Sequence, residues 1–279
     1  MTVRESCLER QRKSFFSSIN GRNIYIQIDG AGPAMVMTHG LGASANVFQP
    51  LVEIFSPRFT VVRFDWPGLG LSGLTKGQPP LSVPGFLEDL EGVLDLLEIE
   101  SAILVGHSLG GSVSMHLAAK TPARVSGLVI IGAGRPRVEE SQSRTATLKI
   151  AEIARREGLW LNVDDRVSTN IPPESPALAR ALLRQVTGAT DPEGYAQVCD
   201  AMCHPSYVDP DYYRITMPTC IIGSTKDKIV APEVAYELQG LIGKNGNVPD
   251  VHIMNGGHMM IIEDVEGVAS IIDGFLAKI

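Results

Sequence analysis

The segment that most constrains this chain begins with a short, wholly apolar run, Ala102-Ile-Leu-Val105. It passes through Gly106-His107-Ser108-Leu109-Gly110-Gly111 and continues as a helical pattern over 112–120. A four-residue apolar run is long enough for a strand covered on both faces, and strands covered on both faces belong to parallel sheets flanked by helices. The turn between them has no spare length. Gly106 and Gly110 stand two residues either side of Ser108, where strained backbone leaves no room for side chains.

The rest of the chain repeats this alternation. Asn20-Gly21 between runs at 14–19 and 23–28 is a hairpin signal. Strands are expected over 34–38, 60–65, 101–106, 125–131, 217–223 and 250–254, with helices over 86–97, 112–120, 232–242 and 265–276 between or after them. The spacing of Phe86, Leu87, Leu90, Val93, Leu94 and Leu97 places one apolar stripe on a helix. This is an α/β chain, a doubly wound and mostly parallel β-sheet. Some 80 residues after Arg135 hold helical patterns and no strand, too long for a loop in a compact domain. The expected division is a core of 1–135 and 216–279 and an inserted helical lid of 136–215 over the carboxyl edge of the sheet. Within the insertion, Thr190-Asp191-Pro192-Glu193 marks a helix start.

Composition removes several function classes. In 279 residues, 24 Lys+Arg stand against 31 Asp+Glu for a net charge of −7, with no basic block to hold a nucleic acid. No apolar run approaches the roughly 20 residues of a membrane span, and the charged start of the chain does not read as a secretory signal. Cys7, Cys199, Cys203 and Cys220 are too few and too apolar in setting for a disulfide framework, so a cytoplasmic protein with reduced thiols is expected.

In the setting of strand, tight turn and helix, Ser108 reads as a nucleophile at the top of the sheet. The N–H of Leu109 lies in the first turn of a helix and is free to donate to a developing oxyanion. Thr38-His39-Gly40-Leu41-Gly42 follows an earlier strand, and its glycines let the N–H of Leu41 face the same point, with His39 as a buried ring that fixes the loop. A serine needs a base. His258, in Asn255-Gly-Gly-His258 after the last strand, is preferred over His252 and His116, which read as structural, over His107, which points away in such a turn, and over His204 in the insertion. Asp227, beyond the strand at 217–223, can orient the ring of His258, whereas the alternative acid position, Gly132-Ala-Gly-Arg135, holds no carboxylate. Chain order is then Ser108, Asp227, His258.

With these residues in place the sequence resembles the α/β-hydrolase superfamily, from about Lys13 to Leu276. Phe64-Asp65-Trp66-Pro67-Gly68 resembles the family's loop after the fourth strand, and Thr190-Asp-Pro-Glu-Gly-Tyr195 with Cys199-Asp-Ala-Met202 resembles the lid segment of 3-oxoadipate enol-lactonases. Those lactonases usually lack the His39-Gly40 pair present here. The chemistry expected is hydrolysis of a small carboxylic ester or lactone through an acyl-enzyme, without metal or organic cofactor. Activity should rise with pH as the histidine base loses its proton.

The alternatives are carbon–carbon bond hydrolysis or cofactor-free peracid formation with the same three residues, and a non-enzymatic ligand receptor on this fold. Dehalogenase and epoxide hydrolase chemistry need an Asp where Ser108 stands. Substrate contacts are expected from Phe48, Trp66, Arg135, Trp160 and Met259, with Met202 and Met260 beside them. Arg135 and Arg137 stand where a substrate carboxylate could be bound. Cys199, Cys203 and His204 lack a fourth ligand and read as lid core. A homodimer is compatible with all of this.

Overall fold

A computed structural model describes residues 12–137 and 139–279, so Cys7 and the start of the chain lie outside the described residues. The strands are β1 (Arg12–Ile19), β2 (Arg22–Asp29), β3 (Ala34–Thr38), β4 (Thr60–Phe64), β5 (Ala102–His107), β6 (Val125–Ile131), β7 (Thr219–Ser224) and β8 (Asp250–Met254). They form one sheet in the order β1-β2-β4-β3-β5-β6-β7-β8. β1 pairs antiparallel with β2, and β2 with β4; every later pairing is parallel. The turn between β1 and β2 has Asn20 and Gly21 at φ of 50° and 75°, the left-handed pair that a two-residue hairpin of this twist requires.

Alternation along the strands separates two apolar layers. Val36, Val62, Leu104, Leu128 and Ile130 face one side, where Phe86, Leu90, Val93 and Leu94 of α2 (Val83–Leu96) and Val113 and Leu117 of α3 (Leu109–Lys120) cover them. Met35, Met37, Val61, Val105, Val129 and Ile131 face the other. There they meet Leu51, Val52 and Phe55 of α1 (Gln49–Phe55), and further along the chain Val268, Ile272 and Phe275 of α10 (Val265–Leu276). Helices on both faces are what a buried parallel sheet demands.

Between β6 and β7 the chain forms α4 (Gln142–Glu157), α5 (Val163–Asn170), α6 (Ala177–Gly188) and α7 (Pro192–Cys203). Ala151 and Ala154 of α4 pack with Tyr195, Ala196 and Cys199 of α7 in a third apolar cluster. α7 starts at the expected capping residue, with the Asp191 carboxylate accepting from Gly194 N–H at 2.7 Å. Three helices are not anticipated by the sequence reading: α5 has only Val163 and Val167 as buried apolar residues, too few to give a stripe, α1 is two turns long, and α9 (Met260–Glu263) is a single turn. The last elements are α8 (Glu233–Ile242), α9 (Met260–Glu263) and α10. Among the described residues, no helix is long and apolar enough to cross a membrane.

One buried ion pair ties the hairpin to α2. Arg22 and Asp89 are 5 % and 0 % exposed. Arg22 Nη1 donates to both carboxylate oxygens at 2.9 and 3.1 Å, and Asn20 Nδ2 adds a third bond at 3.2 Å. Truncating Asp89 leaves a guanidinium buried without its counter-charge, which typically costs about 3–5 kcal/mol. Asp89→Ala should therefore lower the unfolding free energy in a urea titration by that amount. A change within experimental error of wild type would show that Arg22 re-solvates freely.

Candidate active site

Ser108 sits between β5 and α3 with φ 53° and ψ −119°, a left-handed conformation that costs an L-residue about 1–3 kcal/mol. Its N–H donates to Ile131 O at 2.8 Å, and its carbonyl accepts from Ser112 N–H at 3.0 Å, which ties the turn to β6 and to the first turn of α3. The flanking glycines are a steric necessity. A Cβ on Gly110 would lie 2.1 Å from Thr38 O, and one on Gly106 would lie 2.5 Å from Gly111 Cα.

The end of β3 lies beside the end of β5, with Thr38 paired to Gly106, so the loop after Thr38 passes over Ser108. At Gly40 a Cβ would be 2.8 Å from Ser108 Cβ. His39 is wholly buried and holds that loop: Trp66 N–H donates to Nε2 at 3.2 Å, so the ring proton is on Nδ1 and donates to Gly40 O at 2.8 Å. Burial pushes the His39 pKa down despite Asp65, whose carboxylate is 3.7 Å away. The ring is therefore neutral. Leu41 N–H makes no hydrogen bond to a described backbone group, and Leu109, as the first residue of α3, has no intrahelical acceptor for its own.

On the other side, His258 Nδ1 lies 2.7 Å from Asp227 Oδ2. The other carboxylate oxygen of Asp227 accepts from Ile229 N–H at 2.7 Å and Val230 N–H at 2.9 Å. Burial alone would raise Asp227, but the bonds from His258 and the two amides outweigh it and hold the carboxyl below its ordinary range. Asp227 is thus ionised and accepts from His258 Nδ1, so Nε2 is the ring nitrogen that Asp227 does not engage. The main chain of His258 is clamped from both directions. Its N–H donates to Asn170 O at 2.7 Å and its carbonyl accepts from His107 Nε2 at 2.8 Å. Glu263 steadies the approach, accepting from Gly257 N–H at 2.9 Å and Met259 N–H at 3.0 Å.

Ser108 and His258 both line a cavity of about 310 Å³ whose other walls include Leu41, Ile150, Ile153, Arg166, Tyr195 and Met202. This is the size range of small-molecule sites. A smaller cavity of about 170 Å³ adjoins it at Ser108, Arg137, Met202 and Ile229, and also carries Leu109, Arg135 and Tyr207. Ser108, His258 and Leu41 therefore share the larger cavity, Leu109 lines the smaller one that adjoins it at Ser108, and Asp227 bonds the His258 ring from outside both. Such a set can abstract a hydroxyl proton and hold an anionic oxygen.

Most of the residues expected to touch substrate do not line either cavity. Phe48 is 0 % exposed and belongs to the core under α1. Trp66 is equally buried, edge-on to Phe64, with its indole N–H donating to His39 O at 2.8 Å; it braces the loop over Ser108. Met259 lies in the same layer as Phe48. Trp160 is 47 % exposed and packs on Gly188, with the Arg184 guanidinium 5.4 Å above its ring. Arg135 reaches the smaller cavity but is ion-paired to Asp209 and Glu237. Met202 does line both cavities. His107 lines neither cavity, and its Nε2 reaches the main-chain carbonyl of His258. His116 bridges Ser112 O and Val208 O at 2.8 and 2.9 Å. Nothing in the chain near 107, 166 or 170 signals these roles, because each partner is more than 60 residues distant or in the insertion.

Residues 35–271 match the family model described as alpha/beta hydrolase family. The chain belongs to the alpha/beta hydrolase family. It is 35 % identical over 109 residues to a protein of Azorhizobium caulinodans carrying the name carbamate hydrolase RutD, an alignment that spans 39 % of this chain and only 40 % of that relative. Over a longer stretch it is 26 % identical to 3-oxoadipate enol-lactonase 2 of Acinetobacter baylyi, covering 71 % of this chain and 72 % of that one. Among solved structures, the enol-lactonase from Burkholderia xenovorans superposes with a TM-score of 0.83 at 26 % identity, over 94 % of this chain and 100 % of that one.

The buried rings make stability pH-dependent. Burial pushes His107 from its ordinary 6.5 down to about 3, and His39 is lowered for the same reason. Between those limits the unfolded chain binds a proton that the folded ring refuses, so folding stability falls as pH drops below 6.5, by up to about 1.4 kcal/mol per pH unit for each ring. Urea titrations from pH 7 to pH 5 should show this decline, and His107→Gln should reduce its slope. Parallel slopes in the two proteins would remove His107 as a source.

Proposed function

We propose that this protein hydrolyses a carboxylic ester or lactone of a small molecule through an acyl-enzyme. The observation that carries the reading is the 2.7 Å bond from His258 to the ionised Asp227, on the wall of a cavity that also holds Ser108. In this reading Ser108 Oγ attacks the substrate carbonyl carbon as its proton passes to His258 Nε2. The tetrahedral oxyanion accepts from Leu41 and Leu109 N–H. Its collapse breaks the carbon–oxygen bond, and the departing alkoxide takes the proton from His258. A water, deprotonated by His258, then attacks the acyl carbon and releases the acid and free Ser108. Asp227 stays ionised throughout and stabilises the imidazolium. The helical insertion, 136–215, acts as the lid: it supplies Tyr195, Arg166 and Met202 to the cavity wall. Relatives named as an enol-lactonase and as a pimeloyl-[acyl-carrier protein] methyl ester esterase support carboxylic-ester chemistry.

The test is turnover of a panel of chromogenic acyl esters and simple lactones, with organophosphonate labelling read by mass spectrometry. Wild type should be labelled at Ser108 and turn over, Ser108→Ala should do neither, and Asp227→Asn should lower kcat by about 10⁴-fold by leaving His258 in the wrong tautomer. Folded wild-type protein that neither reacts nor labels would overturn the reading.

A further inference from the structure

Arg135 and Arg137 leave the end of β6 two residues apart and meet opposite fates. Arg135 is neutralised by Asp209 and Glu237. Arg137 has no carboxylate partner among the described residues, its Nε is buried without a hydrogen bond, and its side chain stands on the wall shared by both cavities beside Ser108.

Arg166 of α5 lines the larger cavity in a similar condition. Its Nη1 donates to Tyr195 Oη at 2.9 Å and its guanidinium lies 4.8 Å from the centroid of that ring, yet its Nε is also buried without a partner. The adjacent Asp165 lines the same cavity but is exposed and does not pair with it. Both guanidiniums line the larger cavity together with Tyr195 and Met202 of α7.

A buried donor without an acceptor is expensive to keep, and a buried cation without a counter-charge more so. Arg22 and Arg63 also keep a buried Nε without a hydrogen bond, but each has a carboxylate, Asp89 and Asp29, whereas the half-buried Arg137 and Arg166 have none among the described residues. Two left unmatched in the cavity that holds Ser108 are complementary to an anion, and the planar fork of a guanidinium fits a carboxylate. Resting on the ester or lactone reading of Ser108, we propose that Arg137 and Arg166 bind a substrate carboxylate, so that anionic esters or lactones are preferred over neutral ones.

The experiment compares mono-4-nitrophenyl glutarate with its methyl-capped neutral counterpart, in wild type, Arg137→Met, Arg137→Lys and Arg166→Met. Wild type should favour the anionic ester in kcat/KM by at least about 10-fold. Each Met variant should reduce that ratio by about 10- to 100-fold, and Arg137→Lys should restore part of it. Glutarate should inhibit wild-type turnover of the neutral ester competitively and dimethyl glutarate should not, a comparison that needs no variant to fold. A wild-type ratio near one with no inhibition by glutarate would overturn the proposal while leaving ester hydrolysis intact. Should no ester be turned over, the proposed function fails on its own account. Calorimetry then decides the anion site: glutarate binding that Arg137→Met weakens supports it, and no binding of glutarate overturns it.

Discussion

Everything at the carboxyl edge of the sheet depends on how closely α3 approaches β3 and β5. Gly110 is in contact with the carbonyl of Thr38 where a single Cβ would intrude to 2.1 Å, and Gly106 faces Gly111 with no more room. Only this closeness lets Ser108 be lifted in a left-handed conformation while its own N–H and carbonyl stay bonded to β6 and α3. The strain of about 1–3 kcal/mol is borne by the packed elements on both faces of the sheet. Relaxing it would withdraw the hydroxyl from the cavity and move Leu109 N–H with it. The position of Ser108 and that of the first-turn amide are thus one geometric event.

That coupling explains which parts were legible in the sequence. The glycines around Ser108, the glycine loop after Thr38 and the glycine pair before His258 are backbone requirements, and backbone requirements leave a local signature. The strands over 34–38 and 125–131 occur at the expected residues because each is a mainly apolar run between breakers, and 250–254 because Val251 and Ile253 alternate with polar residues. The walls of the cavity left no such trace. Phe48, Trp66 and Met259 have the size and polarity of pocket residues, but those properties serve core packing equally well, and only the direction of the side chain separates the two. Trp66 shows the cost of ignoring direction: it touches the loop over Ser108 through its indole N–H and never faces the cavity. α5 escaped notice because Val163 and Val167 are its only buried apolar residues, so its position comes from tertiary packing rather than from periodicity.

The base loop illustrates a kind of order that one sequence cannot reveal. His258 is held less by its own neighbours than by groups that reach it from two directions: Asn170 O at the end of α5 and His107 Nε2 at the end of β5. The first of these connects the His258 backbone to the helical insertion. The second connects it to the residue preceding Ser108. Burial lowers the His107 pKa, and because a carbonyl can only accept, the bond to His258 O places the ring proton on Nε2.

Polar satisfaction divides the charged groups of this molecule by role. Asp227 has three donors on its carboxylate, and Asp65 has the amides of Ala45 and Leu71 on its two oxygens at 2.6 and 2.7 Å. Groups bonded this fully cannot turn toward a ligand without losing what they have, and they fix geometry. Arg135, with two carboxylates, belongs with them. Arg137 and Arg166 do not, because neither has a carboxylate partner among the described residues and both line the cavity. Two residues of spacing separate Arg135 from Arg137, and chemical type does not distinguish them at all. What separates them is that one faces Asp209 and Glu237 across the edge of the sheet and the other faces the space next to Ser108. Two half-buried cations with no carboxylate among the described residues, beside one cavity, are complementary to an anion from outside the chain.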